Sequence, residues 1–323
     1  MKIAFLYEGP HAVHAAWAKS VNAKFIPNFG AGCKKGSSFL SRLVRIALAP
    51  AKLRQIPKNT NVLLLEGGLG FVVGFLFKKI RKKKVLMIAS DPLFYELKRR
   101  PFLAKIGYFM MKNFDGFIPT SKLMSSLIPF KNKKIVHPFA EVERFNKVKV
   151  DLNKKNIIYV GVLNKQKGVD RVIKLFLKLQ KKIPKAKLFL VGEGPLKKEI
   201  EKINNKNIIL TGFVKNPESY MKECSIYTNL SRLDPFGVGV VEAMVHGLVT
   251  IVSEGVGAKD IIEKVDKTLI VDSEEKAVIK ILDLFSNRIK LTKLSQKLKK
   301  KAIEECSKEK SIKKFKKAFY SFI

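Results

Sequence analysis

The sequence predicts an α/β protein built from two parallel-sheet domains, and three observations carry that reading. Short apolar runs ended by glycine or acidic residues alternate with helix-length segments from the first residues onward, the pattern of a parallel sheet covered on both faces. The alternation stops in a polar, lysine-rich stretch, residues 143–156, and begins again at Ile157. A chain of 323 residues holds about two domains of ordinary size. Two Rossmann-like domains facing a cleft, divided near residue 150, are therefore expected, with ligands at the C-terminal ends of the strands.

The elements follow in order. Residues 2–7 and 62–65 read as strands, ended by Glu8-Gly9 and by Glu66-Gly67-Gly68. Residues 85–89 read as a third, ended by Ser90-Asp91-Pro92, and residues 116–119 and 134–137 as two more. Helices are expected over 11–21, 39–53, 70–82, 94–113 and 122–127. The opening run is too short for the apolar core of a secretory signal, and no apolar run reaches the length of a membrane-spanning helix. The second half starts with a strand at 157–161. The alternation then runs through 169–182, 187–192, 196–203, 208–212, 217–223, 226–230, 240–246, 249–253, 259–263 and 268–271, with helices from Glu274 onward. The expected domains are 1–150 and 151–323; the last helices are candidates for packing back on the first.

A net charge of +37, mostly lysine, calls for an anionic partner: lipid headgroups, nucleic acid or phosphorylated substrates. Solvated lysines on exposed helix faces, in a generally lysine-rich proteome, are the alternative. Cys33, Cys224 and Cys306 stand far apart, which argues against a zinc site or a disulfide framework. There is no Asp-x-Asp for metal chelation, and no metal or other cofactor is expected.

The most informative stretch is Asp234-Pro-Phe-Gly-Val-Gly-Val-Val-Glu242. One acid lies in a loop before a helix and the other about one turn into it. Free amides at a helix start attract anions, so a phosphate fits near Gly237 and Gly239 while the flanking acids accept hydrogen bonds from sugar hydroxyls. The stretch resembles the nucleotide-binding segment of the retaining GT-B glycosyltransferases of the glycosyl transferase group 1 class (family 4-like). That family carries two glutamates at this spacing, with Pro-Phe-Gly after the first; here the first acid is Asp234. Ala243-Met-Val-His-Gly247 stands where the family has Ala-Met-Ala-x-Gly.

Further segments follow in the family's order. Gly161-Val-Leu-Asn-Lys-Gln-Lys167-Gly168 resembles the loop whose arginine and lysine hold the donor diphosphate. Lys167 matches the lysine, and Val162 takes the arginine's place. Lys165 is a substitute point charge, without the two-pronged grip of a guanidinium. Val191-Gly-Glu-Gly-Pro195 is a turn that needs a permissive backbone. Gly212-Phe213-Val214 matches the backbone bordering the nucleobase, and Lys259-Asp260 takes the place of a Pro-Glu pair. In the first half, Asp115 to Ser121 resembles the family's strand-to-serine element, and residues 134–145 its interdomain segment without the usual Asn-Gly. The family's sugar-contacting histidine is absent: Asp91 stands in its place. His11 and His14, beside Glu8-Gly9-Pro10, are candidates for contact with an acceptor or phosphate.

The resemblance implies retaining transfer of a sugar from a nucleotide-diphosphate sugar, with 1–150 as the acceptor-side domain and 151–323 as the domain that binds the nucleotide sugar. Asp234, Lys167 and Asp91 are the expected catalytic residues. Glu242, Phe236, Gly237, Val238, Gly161, Lys165, Gly212, Phe213 and Val214 are expected to bind donor, and Gly9, His11 and His14 lie on the acceptor side. Lys167 and the helix amides would stabilise the leaving diphosphate, Glu242 would hold the ribose, and Asp234 would orient the sugar. The basic run 78–84 and the basic, aromatic stretch 99–112 point to an anionic membrane surface; the apolar run 70–77 either adds to it or is an internal helix packed on the sheet. A cytoplasmic protein, peripheral on the inner leaflet and acting on a lipid or lipid-linked glycan, is expected. The competing readings are a non-catalytic sugar-nucleotide binder and a basic nucleic-acid-binding protein on the same scaffold, though no specific nucleic-acid motif is present.

Overall fold

The structure, a computed structural model, describes residues 1–9, 11–28, 44, 46–145 and 150–323. The chain forms two compact units, Met1–Pro138 with Ser311–Ile323, and Phe139–Lys310. Ala140, ahead of the lysine-rich stretch, and Phe145, within it, are already part of the second unit's core. Cys33 and the start of the helix expected over 39–53 lie outside the described residues; Ala49–Gln55 is helical.

The first unit holds β1 (Ile3–Tyr7), β2 (Lys24–Pro27), β3 (Val62–Glu66), β4 (Lys84–Ala89) and β5 (Gly116–Pro119). They form one parallel sheet in the order β2-β1-β3-β4-β5. Leu63, Leu64, Leu65, Val85, Leu86 and Met87 are fully buried, as central strands of a parallel sheet must be when both faces are covered. β2 was not visible as a strand: it is short, lies at the edge and ends in Pro27, which lacks an N–H for the ladder.

Two expectations need correction, and one open alternative is decided. Residues 134–137 form no strand. Lys134 and Val136 do donate to the carbonyls of Phe117 and Pro119, both at 3.0 Å, but only a single bridge, Phe117 to Lys133, results. The helix expected over 94–113 is two helices, Leu93–Lys98 and Pro101–Met111. Pro101 disfavours helical geometry at the residue before it, and Arg100 sits at φ −130°, ψ 81°. The apolar run 70–77 belongs to an internal helix, Gly70–Arg81, with Phe71, Val72, Val73 and Phe77 buried, so it is not available to a membrane. The basic run after it is partly committed as well. Lys78 and Lys84 pair with Asp115, and Arg81 donates to the carbonyls of Leu53, Ile56 and Pro57.

The chain end closes the first unit. Trp17, wholly buried, donates from Nε1 to Ser311 Oγ at 3.0 Å and stacks on Phe315 with centroids 5.2 Å apart. Ser311 Oγ in turn donates to the His137 carbonyl at 2.7 Å.

The second unit holds β6 (Ile157–Val160), β7 (Leu188–Val191), β8 (Ile208–Gly212), β9 (Ile226–Asn229), β10 (Val249–Ser253) and β11 (Ile270–Val271). The order is β11-β10-β9-β6-β7-β8, all parallel along the strands. Helix Val169–Gln180 buries Val172, Leu175, Phe176 and Leu179 on one stripe, the spacing of a helix packed on a sheet. In each unit the strand order reverses once, between β1 and β3 and between β6 and β9. Crevices for ligands open at such points, beyond the carboxyl ends of the strands.

Candidate functional site

At the switch point of the second unit two loops leave neighbouring strands: residues 161–168 after β6 and residues 230–237 after β9. They touch at Gly168, which has φ +66°; a Cβ there would lie 2.0 Å from the Leu230 carbonyl oxygen. Only glycine permits that approach, and the approach sets Lys167 against Asp234. Lys167 Nζ lies 2.9 Å from Asp234 Oδ1. The other carboxylate oxygen accepts from Asn229 Nδ2 at 3.2 Å, and Asn229 Oδ1 accepts from Ser231 N and Oγ. A third loop holds the Asp234 backbone: Asp234 N donates to Gly255 O at 2.8 Å, and Gly257 N to Asp234 O at 2.9 Å. Lys167 and Asp234, both singled out from the sequence, are thus brought together and fixed by three loops.

Gly237, at φ +86°, turns the chain into helix Val238–His246, which has no side-chain cap. Its first amides keep the partial positive charge of a helix start, beside Asp234. Glu242 lies one turn into this helix, half-buried, and makes no hydrogen bond among the described residues. Burial pushes its carboxyl up to about 7; Arg144 opposes the shift, while Glu141 and Glu218 add to it. Arg144 is engaged elsewhere. It grips both oxygens of Glu218, at 3.2 and 3.1 Å, and donates to Lys215 O at 2.7 Å.

The ends of β6, β7 and β8 are stitched by backbone bonds: Gly161 N to Val191 O, Leu163 N to Glu193 O and Gly192 N to Gly212 O, each 2.9 Å. Gly161 and Gly212 therefore present backbone rather than side chain at this edge. Phe213 is 79% exposed and Val162 42% exposed, while Val214 is half-buried and Lys165 is exposed. Phe236 is 4% exposed and belongs to the core, and its carbonyl accepts from Ala258 N at 2.6 Å. Asp260 is buried as well, at 1%, and Lys259 pairs with Glu254.

Several residues here were not singled out from the sequence. Asn229 is one, although a polar residue ending the run Ile226-Tyr-Thr-Asn229 was a signal. Tyr159 and Tyr227 are others: buried beneath the loops, they donate to Val162 O at 3.0 Å and Val160 O at 3.2 Å. Arg232 holds Asp170 with both terminal nitrogens at 2.8 Å and also donates to Lys165 O. A guanidinium does reach this loop, though not from position 162.

In the first unit, Glu66 ends β3, and Glu8 and Asp91 lie just beyond the ends of β1 and β4. Glu8 and Asp91 grip the turn before helix Gly70–Arg81: Gly68 N donates to Asp91 at 2.5 Å and Leu69 N to Glu8 at 3.1 Å. Amides that a phosphate would seek are thus occupied by the chain's own carboxylates. Burial raises the Asp91 carboxyl, against its backbone hydrogen bonds, and Glu66 raises it further. His14 is 3% exposed and bonds Glu66 through Nδ1 at 2.5 Å. His11 stacks on His14, centroids 4.5 Å apart. Desolvation, then His14, lowers His11 to about 4 against the pull of Glu66, so it is neutral across the physiological range. Nothing lies within 4 Å of a Cβ built on Gly9. Among the described residues no cluster of His, Cys, Asp and Glu has metal-binding geometry, and no helix is long and apolar enough to cross a membrane.

Comparison with known proteins places the chain in a family. The model of the family "Glycosyl transferases group 1" matches residues 141–305, a span that contains Lys167, Asp234 and Glu242. An uncharacterized glycosyltransferase of Methanocaldococcus jannaschii is 28% identical over 281 residues, covering 77% of this chain and 71% of its own. The alpha-monoglucosyldiacylglycerol synthase of Acholeplasma laidlawii is 25% identical over 159 residues, 42% of this chain and 40% of its own. Among solved structures, Anabaena HepE in complex with UDP aligns with a TM-score of 0.82 at 15% identity, covering 99% of this chain and 100% of its own. That likeness is one of fold, two Rossmann-like units of the GT-B glycosyltransferase type. On the match of motif order, site and family model together, this chain belongs to the glycosyl transferases group 1.

Proposed function

We propose that the protein transfers a sugar, with retention, from a nucleotide-diphosphate sugar to a lipid or lipid-linked glycan at an anionic membrane, on the cytoplasmic leaflet. The observation that carries the reading is the Lys167–Asp234 pair, 2.9 Å apart, beside an uncapped helix start that has Glu242 one turn further on. Cleavage of the bond between the sugar carbon and the diphosphate oxygen leaves the electron pair, and a growing negative charge, on the diphosphate. Lys167 and the first amides of helix Val238–His246 are placed to stabilise that charge. Asp234 would orient the sugar, and Glu242 would accept hydrogen bonds from the ribose hydroxyls. The backbone at Gly161 and at Gly212 to Val214 would border the base. Asp91 is assigned a sugar hydroxyl, and Gly9, His11 and His14 are assigned to the acceptor; with His14 tied to Glu66, His11 is the more available of the two rings.

The donor class is supported by the Anabaena protein, whose crystal structure holds UDP, and the lipid acceptor by the name of the Acholeplasma relative. The test is transfer of radiolabelled sugar from UDP- and GDP-linked donors to a lipid extract, with the anomeric configuration of the product read by NMR. Transfer with the donor's configuration kept is expected; an inverted product would overturn retention.

One observation favours a second reading, a sugar-nucleotide binder without turnover. The position of the expected diphosphate-holding arginine is Val162, exposed to solvent at 42%, and Arg232 is committed to Asp170. Donor binding with neither transfer nor hydrolysis would select that reading.

A further inference from the structure

We propose that the first unit carries a docking surface for an anionic phospholipid bilayer, made of the outer face of helix Pro101–Met111 and the lysine-lined hollow at the starts of β4 and β5. The inference rests on the membrane reading above and gives it a location.

The helix is apolar on two sides. Ala104, Gly107 and Met111 face the core. On the outside, Phe102 is 75% exposed, Leu103 45%, Ile106 47% and Phe109 55%. A helix on the surface of a globular unit normally turns polar residues outward, and a contiguous apolar ridge of this kind marks an interaction site. The ridge is framed by cations alone: Lys98, Arg99 and Arg100 at its start, Lys105 within it and Lys112 at its end, with no acid between residues 97 and 114.

The hollow continues from Lys112. It is lined by Lys84, Lys112, Lys131, Lys133 and Lys134, with Asp115 as the one acid in its wall. Asp115 is already shared by Lys78 at 2.7 Å and Lys84 at 3.4 Å. Lys133 donates to the carbonyls of Ser125 and Ile128. Lys112, Lys131 and Lys134 have no acidic partner among the described residues. Lys112 rests over the Phe109 ring at 4.5 Å, and Lys134 over the Phe322 ring at 5.7 Å. The surface therefore sets three uncompensated ammonium groups beside an apolar ridge, and one residue, Lys112, belongs to both.

A bilayer bearing anionic headgroups matches both parts at once. Phe, Leu and Ile side chains on one helix face enter the boundary between headgroups and acyl chains, and lysines near an anionic leaflet are each attracted to it. A nucleic acid would use the lysines and leave the ridge in water.

The test is sedimentation of the full chain with vesicles at 150 mM salt, using phosphatidylglycerol–phosphatidylcholine (1:1) and phosphatidylcholine alone, on the wild type and two double variants. Phe102→Ser with Phe109→Ser removes the ridge, and Lys131→Glu with Lys134→Glu reverses the hollow. All four positions are exposed, and circular dichroism checks the fold. The wild type is expected to pellet with the anionic vesicles only, and each variant to lose about tenfold in partitioning. UDP release from UDP-glucose without acceptor is followed in parallel: if it is kept while vesicle binding is lost, the docking surface stands apart from the transfer site. A wild type that stays in the supernatant with both vesicles overturns the proposal, whatever its hydrolysis. Unchanged binding in either variant overturns the surface assigned here. Equal binding to the neutral vesicles overturns the role of the lysines. If a single-stranded oligonucleotide is bound through the lysines and no vesicle is bound, the surface belongs to nucleic acid.

Discussion

Glu242 sits where two demands conflict. Holding ribose hydroxyls favours its ionised form, yet burial lifts the empty carboxyl to about 7 from an ordinary value near 4.5. Between those two pH values the folded protein holds a proton there that the unfolded chain has lost. This group's contribution to stability is therefore greatest below about pH 4.5, falls as pH rises toward 7 and stays low above it. Glu242→Gln removes the slope. By thermal melts, the variant is expected to gain on the wild type at pH 8 and to show no gain at pH 4.5; a gain that does not change with pH would contradict the assignment. Nucleotide binding has the opposite sense. It should tighten as pH rises through 7, with affinity at pH 6 about tenfold below its plateau, because only the carboxylate accepts both hydroxyls. Calorimetry with UDP in two buffers of different ionisation enthalpy would also detect the proton released. Lys167 makes the companion case. Lys167→Ala is expected to lower kcat about 100-fold, the scale of losing one group that stabilises charge in the transition state, while the exposed Lys165→Ala stays within a few-fold. A reversal of that order in steady-state kinetics would mean that Lys165, not Lys167, meets the diphosphate.

At the scale of elements, the site depends on loops that only glycine allows to touch. Gly168→Ala places a Cβ 2.0 Å from the Leu230 carbonyl oxygen in a left-handed conformation, φ +66°. A backbone oxygen cannot swing aside as a side chain can, so the loops must part and Lys167 must leave Asp234. A loss of about 2–3 kcal/mol in urea denaturation is expected, together with loss of transfer. Gly9→Ala, with nothing within 4 Å of the new Cβ, is the control and should stay within about 0.5 kcal/mol. A Gly168→Ala as mild as the control would show that this contact is not tight. The motif order made Lys167, Asp234 and Glu242 legible in the sequence, because residue spacing along one loop or one helix translates directly into space. Asn229 and Arg144 were less legible: their roles depend on which strands are neighbours, and a list of strands does not state that β6 lies beside β9. The break at Arg100-Pro101 was written in the sequence, since proline restricts the residue before it, but the apolar character of residues 101–111 hid it. That same character left 70–77 open, because hydrophobicity alone does not say whether an apolar helix faces a core or a membrane. Helix Gly70–Arg81 buries Phe71, Val72, Val73 and Phe77, whereas helix Pro101–Met111 leaves Phe102, Leu103, Ile106 and Phe109 exposed.

For the whole molecule the dominant quantity is the charge of +37. Two electrostatic effects oppose each other as salt is added. Ion pairs on the surface, such as Lys276 with Asp272 and Lys301 with Glu304, are weakened, and solvent already screens them so that each contributes little. Repulsion among the many lysines in excess of acids is weakened too, and it acts over distances that screening controls most strongly. The screening length falls from about 30 Å at 0.01 M to about 8 Å at 0.15 M salt, from a span that couples most of a unit's surface to one that couples near neighbours only. Because 64 basic residues face only 27 acidic ones, relief of repulsion is expected to win. Melting followed by circular dichroism in sodium chloride should therefore show Tm rising by a few degrees over that range and levelling off beyond it, in proportion to screening and not to the identity of the anion. A Tm that falls with salt would mean that the paired acids, few as they are, outweigh the excess of lysine. A rise confined to phosphate or sulfate at micromolar levels would point to a specific anion site in place of general repulsion.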